Sequence, residues 1–338
     1  MGMISKRGQL VAALFIAASL VMGFAPAVAE AQETIKWRLN SSYRPDSYSG
    51  HGYQWFCDTI EKLSGGRLVI EPYFSSSLGF KDFEALSAVR KGLCEIACPV
   101  ASAVAGEEPF MLMPELPFLF TDRVKEWKSL QTVLQPMTAE ILHEKWGVKL
   151  LAYHGWPPRA IYAKDRITSF DDLNGYKIRT YGSAFPKIMK AWGAVPVAIS
   201  GSELYTALQR GMCQGAITGL AGASEFHIWE VVKYQINVFG DVSGHSIIMV
   251  NEEAFSKLPK DLQVLVEEVG KELPRWMYVH IDEVTEPIRQ QLKDHGMVFV
   301  DIEEDFQNQL VERCKPIWRE FAQKSPQGMS YLKEIGKD

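Results

Sequence analysis

The sequence predicts an α/β protein made of two similar halves, and three observations carry that prediction. Strand-like and helix-like apolar patterns alternate in the order β-α-β-α-β in the first part of the chain. The same alternation restarts past the middle. One short segment occurs twice, once in each half.

The chain opens with a targeting pattern. Lys6 and Arg7 form a short positive region, an apolar run follows from Leu10 to Ala25, and Pro26 precedes the small residues Ala27-Val28-Ala29. This is the build of a secretory signal peptide over residues 1–29, with cleavage expected near Ala29 or, in a second register, Ala31. A membrane anchor is the alternative, but a span needs about twenty apolar residues. The run here is shorter and ends in a cleavage-like motif. Removing it takes away Lys6 and Arg7 and no acid, so the net charge moves from −5 to −7. No later segment reads as transmembrane.

Thr34 to Leu39 alternates as a strand, and Asn40 to Gly52 reads as a polar, aromatic-rich loop. Phe56, Ile60 and Leu63 recur at helical spacing until Gly65-Gly66, and Leu68 to Phe74 returns to strand composition. A helix from about Asp82 to Lys91 ends at Gly92 and leads into a strand, Leu93 to Val100. Past the middle, Lys149 to Tyr153, Ala160 to Ala163 and Tyr176 to Arg179 read as strands. Ser169-Phe170-Asp171-Asp172 is a capping-type start, and a helix from Ala184 to Trp192 stops at Gly193.

The repeated segment is EALSAVRKGLCEIA at 84–97 and ELYTALQRGMCQGA at 203–216. Glu84 matches Glu203, Ala88 matches Ala207, Gly92 matches Gly211 and Cys94 matches Cys213. Each copy reads as a helix, a left-handed glycine stop and a strand. Leu258-Pro259-Lys260 then opens a helix with Leu262, Leu265, Val266 and Val269 on one face. Pro274 is expected to kink or break it. The pattern resumes through Ile281, Val284, Ile288 and Leu292 to Gly296, followed by a strand at Met297 to Val300.

Composition narrows the function. The chain is 47% apolar and 23% charged, ordinary for a globular protein, and it carries no basic run of the kind that phosphate backbones require. Five cysteines are an odd number without framework spacing. Cys94 and Cys98, four strand residues apart, would stand about 13 Å from each other, too far for a bridge. The cysteines are read as small buried apolar residues. No nucleophile elbow, zinc helix, phosphate loop or dinucleotide fingerprint is present, and the seven histidines are scattered. An enzyme has no positive support, and no cofactor or metal is expected.

The strongest local signal is the turn and strand Asp171-Asp172-Leu173-Asn174-Gly175-Tyr176-Lys177-Ile178-Arg179. Alternation alone leaves Arg179 either on a solvated face or at a strand end facing a cleft. In the second case its planar fork suits a carboxylate. Arg159, after Trp156-Pro157-Pro158, is either an exposed loop arginine or a second cation.

The stretch from Asn174 to Gly215 resembles the DctP-type solute-binding proteins of tripartite ATP-independent periplasmic (TRAP) transporters. The segments that carry the likeness are Gly175-Tyr176-Lys177-Ile178-Arg179, Trp192-Gly193-Ala194-Val195-Pro196-Val197 and Glu203 to Gly211. Ser76-Ser77-Leu78-Gly79, Leu116-Pro117-Phe118-Leu119-Phe120 and Leu258 to Gln263 fit in order. The resemblance implies a two-lobed periplasmic-binding-protein fold of the type II-like, Venus-flytrap kind, with a hinge and a long lobe-spanning helix. It implies an N-terminal lobe of 33–155 plus 243–283 and a C-terminal lobe of 156–242 plus 284–338. It also implies a periplasmic receptor, not an enzyme, that hands a small organic acid to TRAP membrane subunits. Arg179 would form the main salt bridge to the ligand, with Arg159 as a second arginine and Asn40 as a further contact.

The departures matter too. Gln214-Gly215-Ala216-Ile217-Thr218 replaces a polar run, so Thr218 stands where relatives carry an amide, and Thr180-Tyr181-Gly182 replaces a small polar stretch. Cys98-Pro99-Val100-Ala101 is apolar where sugar-acid binders place charge. Buried ligand hydroxyls would go unpaired in such a pocket. Tyr43, Tyr48, Trp156, Tyr181 and Phe185 could offer stacking surface, and for Phe185 ordinary core is the competing reading. The expected ligand is a monocarboxylate with an aromatic or aliphatic body. A sensor that docks on a membrane receptor and a periplasmic carboxylate-processing enzyme are the rival functions.

Overall fold

The computed structural model describes residues 33–120, 122–199, 203–240 and 244–338, so the expected export signal lies outside the described residues. The first half runs β1 (Ile35–Asn40), α1 (Tyr48–Ser64), β2 (Leu68–Tyr73), α2 (Ala85–Arg90), β3 (Ile96–Ala97), α3 (Arg123–Ser129), α4 (Gln135–Trp146) and β4 (Val148–Gly155). The chain continues through β5 (Arg159–Ala163), α5 (Phe170–Leu173), β6 (Lys177–Thr180), α6 (Ala184–Ala191), β7 (Val195–Ala198), α7 (Leu204–Gln209), β8 (Gly215–Gly219), α8 (Leu220–Glu225) and β9 (Tyr234–Asn237). It closes with β10 (His245–Asn251), α9 (Glu252–Ser256), α10 (Lys260–Asp294), β11 (Val298–Asp301), α11 (Glu304–Ala322) and α12 (Gly328–Glu334).

These strands form two sheets, ordered β2-β1-β3-β10-β4 and β7-β6-β8-β5-β9-β11. The two orders share a plan. In each, a central strand lies parallel to both neighbours (β1 between β2 and β3, β6 between β7 and β8), and an antiparallel strand follows (β10, β5). Registers agree as well: Leu39 opposes Pro72 and Ile96, while Ile178 opposes Pro196 and Gly215. Asn40 and Arg179 therefore occupy equivalent positions at the carboxyl ends of equivalent strands.

The sequence repeat is a repeat of backbone. Gly92 and Gly211 take φ of 68° and 71°, the left-handed region that glycine enters without a Cβ clash. Leu93 N–H then donates to the Ala88 carbonyl (3.0 Å) and Met212 N–H to that of Ala207 (2.9 Å), the same helix-ending loop twice. All five cysteines are buried and free.

Four sequence expectations need correction. Helix α1 starts at Tyr48, inside the expected loop, because the Ser47 hydroxyl accepts the Gly50 N–H and caps it. Tyr48 is thereby drawn into the core, donating to the Met277 carbonyl at 2.7 Å, and offers no stacking surface. The strand at 93–100 shrinks to β3, since Val100 opens a 3-10 turn. Pro274 does not break α10, which runs 35 residues, about 52 Å at 1.5 Å each, through Pro274 and Pro287. A mid-helix proline costs about 3 kcal/mol. Leu262, Val266, Val269, Leu273, Met277 and Ile281 bury their side chains against α1 and β4, each worth about 1.5–3 kcal/mol. Burial wins. The far end of α10 lies in the other half, where Leu292 joins the cluster of α7, α8 and β8. Helix α11 packs on both halves: Trp318 Nε1 donates to Pro117 O and Leu310 O accepts from Trp192 Nε1.

Candidate functional site

Residues 34–338 form one compact unit, and the chain passes between the two sheets at β4–β5 and again at β9–β10. The passages lie side by side. His245 pairs with Gly155, and Trp156 N–H donates to the Gly244 carbonyl at 2.9 Å. The Ser246 hydroxyl gathers the local aromatics, accepting from Trp156 Nε1 at 3.1 Å and sharing a hydrogen bond with the Tyr43 hydroxyl at 3.3 Å. The rings of Tyr43 and Trp156 stand 4.5 Å apart.

A cavity of about 690 Å³ opens at this junction. Tyr43 and Glu115 line it from the first-sheet side, Trp156 at the passage, and Arg159, Tyr181 and Phe185 from the second-sheet side. Parallel strands end there, as cleft-binding α/β proteins require. Across the mouth, Arg44 Nη1 lies 3.5 Å from Glu225 Oε1, and Arg44 also meets Asp46 at 2.6 Å. Both pairs are exposed, so solvent screens them and they add little to stability.

Arg179 sits one layer behind the cavity surface. It is 7% exposed, its guanidinium carbon stands 5.1 Å from the Tyr181 ring centroid, and Tyr181 forms part of the wall. Its Nε donates to Ile199 O (2.8 Å) and its Nη1 to Ile217 O (3.0 Å). Two of five N–H donors are thus spent on neutral carbonyls. Among the described residues no carboxylate lies within 4 Å of it. Burial pushes its pKa below the usual arginine value.

Arg159 is different. It is buried, stands over the Phe185 ring at 5.1 Å, and its Nη2 lies 3.5 Å from Glu115 Oε2. Glu115 also accepts the His245 N–H, and the His245 ring faces Glu126 at 3.2 Å. Although burial opposes it, the Glu126 carboxylate holds His245 above the usual histidine range.

The remaining expected residues divide. Tyr43, Trp156 and Tyr181 line the cavity with Arg159. Phe185 serves both readings, 4% exposed in the core yet part of the wall. Thr218 and Asn40 do not line the cavity; both are buried, at 8% and 2% exposure, Thr218 next in the chain to the Ile217 carbonyl that Arg179 holds and Asn40 in the opposite sheet. Thr218 Oγ1 faces Gly222, where any Cβ would approach to 2.7 Å. Asn40 Nδ2 reaches Phe80 O at 3.5 Å, while its Oδ1 is buried without a partner. Glu115 was missed, though a signal existed: it is the lone charge between Phe110 and Phe120, and a charge inside an apolar run implies a buried partner.

With this geometry in hand, the likenesses can be placed. The sequence profile of DctP, the bacterial extracellular solute-binding protein family 7, matches residues 39–325. The C4-dicarboxylate-binding periplasmic protein DctP of Rhodobacter capsulatus is 28% identical over 302 residues, covering 87% of this chain and 87% of its own. A TRAP periplasmic solute-binding protein from Ochrobactrum anthropi superposes with a TM-score of 0.83 at 20% identity, covering 90% of this chain and 95% of that one. DctP7 of Bordetella pertussis, an extracytoplasmic solute receptor binding pyroglutamic acid, gives 0.78 at 22% identity over 90% and 100% of the two chains. At such identities the two structures establish the fold.

Proposed function

The chain belongs to the DctP family of bacterial extracellular solute-binding proteins, the family of TRAP solute receptors, and from that membership we propose that it captures a small organic monocarboxylate on Arg179. One observation carries the reading: a buried guanidinium with three N–H donors to spare and no acid within reach among the described residues. An uncompensated buried charge costs several kcal/mol. A ligand carboxylate would relieve that cost with a bidentate bond.

The rest follows from position. Tyr181 moves aside or stacks on the ligand as the carboxylate reaches Arg179. Asn40, at the equivalent strand end of the opposite lobe, brings an unsatisfied acceptor to a ligand N–H or O–H when the lobes close. Thr218 contributes a hydroxyl, and Tyr43, Trp156 and Phe185 supply an apolar wall that suits an aromatic or aliphatic body. Arg159 shapes the wall with its charge already met. The lobes divide at these two passages and a third time along α10, giving 33–155 plus 243–283 and 156–242 plus 284–338. The ligand must favour the closed state differentially for binding to close the cleft.

In this reading the protein works in the periplasm after export on residues 1–29, carries its ligand unchanged, and delivers it to TRAP membrane subunits. It is a receptor, not an enzyme. Family members act as solute receptors, and no helix among the described residues is long and apolar enough to cross a membrane.

Titration calorimetry tests it. Arg179→Ala removes one partner of a buried charge pair, a loss of about 2–5 kcal/mol, or roughly 30-fold to several thousand-fold in affinity. Arg179→Lys keeps the charge without the fork and weakens binding less. Unchanged affinity in the alanine variant ends the assignment.

A further inference from the structure

We infer that Glu115 is a specificity-determining residue that makes the cleft select singly charged acids and reject dicarboxylates; this rests on the carboxylate reading of Arg179 given above. Four charged residues line the cavity among those described, Arg44, Glu115, Arg159 and Glu225, and they cancel in pairs. Arg44 meets Glu225 and Asp46, and Arg159 meets Glu115. Arg179 is the cation left over. A ligand with one carboxylate neutralises it. A second carboxylate extending toward Arg159 would find that arginine's charge already answered and the Glu115 oxygens beside it. Glu126, outside the cavity lining, is itself paired with His245 and offers no cation to a second carboxylate.

Stability does not explain the pair. A buried ion pair commonly contributes no more than apolar residues of the same volume, yet the fold makes room for this one at a steric cost. A Cβ at Gly244 would run into Arg159 Nη2 and both Glu115 carboxylate oxygens, so the pair keeps this geometry only because the second interlobe passage carries glycine there; a larger residue would push the two side chains aside. The His245 N–H, on the adjoining residue, fixes the Glu115 carboxylate in place. A repulsive group held this rigidly is how a binding site discriminates against a near relative of its ligand. The Rhodobacter relative is named for binding C4-dicarboxylates, the class of ligand that Glu115 would turn away here.

The experiment compares matched acids by calorimetry: butanoate with succinate, pentanoate with glutarate, benzoate with phthalate. The wild type binds the monoacid of a pair at least tenfold tighter than the diacid. Glu115→Gln keeps the side-chain shape and can still accept the His245 N–H; it shifts the ratio at least tenfold toward the diacid. The double variant Glu115→Gln/Arg159→Met leaves no unmatched charge, so it guards against misfolding of the single one. It narrows the wild-type preference at least threefold. An unchanged ratio in a folded variant, or a wild type that favours diacids, overturns the inference while leaving Arg179 as the anchor. If none of the acids binds the wild type, the carboxylate reading itself falls, and this inference with it.

Discussion

His154 is wholly buried on β4, one residue from the passage between the sheets. Its Nδ1 lies 3.2 Å from the Gly155 carbonyl, which can only accept, so that nitrogen carries the proton and Nε2 accepts from the Tyr53 hydroxyl at 2.9 Å. Burial pushes its pKa down to about 4. The unfolded chain binds a proton near pH 6.5 and the folded chain resists it, so stability falls as pH drops from about 6.5 to about 4, by roughly 3 kcal/mol in total. His245 acts in the opposite sense: its raised pKa gives stability that is present below pH 6.5 and lost as pH rises through the folded value. A thermal melt against pH should show a dome, with His154→Gln flattening the acid side and His245→Gln the alkaline side; a dome unchanged in both variants would refute the assignment. None of this was legible in seven scattered histidines, because burial is not written beside the residue it affects. Arg179 could be read from strand alternation, but its partners could not, since Ile199 and Ile217 contribute backbone carbonyls that any residue would supply. Glu115 was visible only as a charge out of place.

At the scale of elements, the duplicated helix-glycine-strand unit offers a matched measurement. A Cβ at Gly92 or Gly211 would meet nothing within 4 Å, so replacement by alanine costs only the left-handed backbone. Gly92→Ala and Gly211→Ala should each destabilise by about 1–2 kcal/mol in urea unfolding. The two sites lie in different sheets and should add. A large inequality between them would show that the units differ in more than sequence. These units were readable because glycine, flanking apolar residues and a shared register all point one way. The segment from Ala101 to Trp146 was not, being built of 3-10 turns, a π-helical turn at Leu130–Leu134 and short helices. None of the irregular turns keeps the period on which apolar patterning depends. Pro274 misled for the opposite reason. Its local penalty is real, and long-range packing outweighs it.

Across the whole molecule, each half is completed by residues from the other. Sheet one needs β10, and α10 starts beneath that sheet and ends in the second half. A fragment of residues 34–155 would hold β1 to β4 without the strand that joins β3 to β4. It should show no cooperative unfolding transition by circular dichroism, and co-expression with residues 156–338 should restore one. A cooperative transition in the isolated fragment would contradict this interdependence. Alternation and repetition revealed the two sheets, but which strand crosses to which sheet is a matter of topology that no local pattern encodes.

The placement of β10 also sets a timetable. On the ribosome, β3 and β4 emerge long before the strand that belongs between them at His245–Asn251. At translation speeds of about 5–20 residues per second, the wait is roughly 5–20 s. For that interval β3 and β4 lack the strand that joins them, so the first half cannot lock early, which suits a chain that is to be exported before it folds.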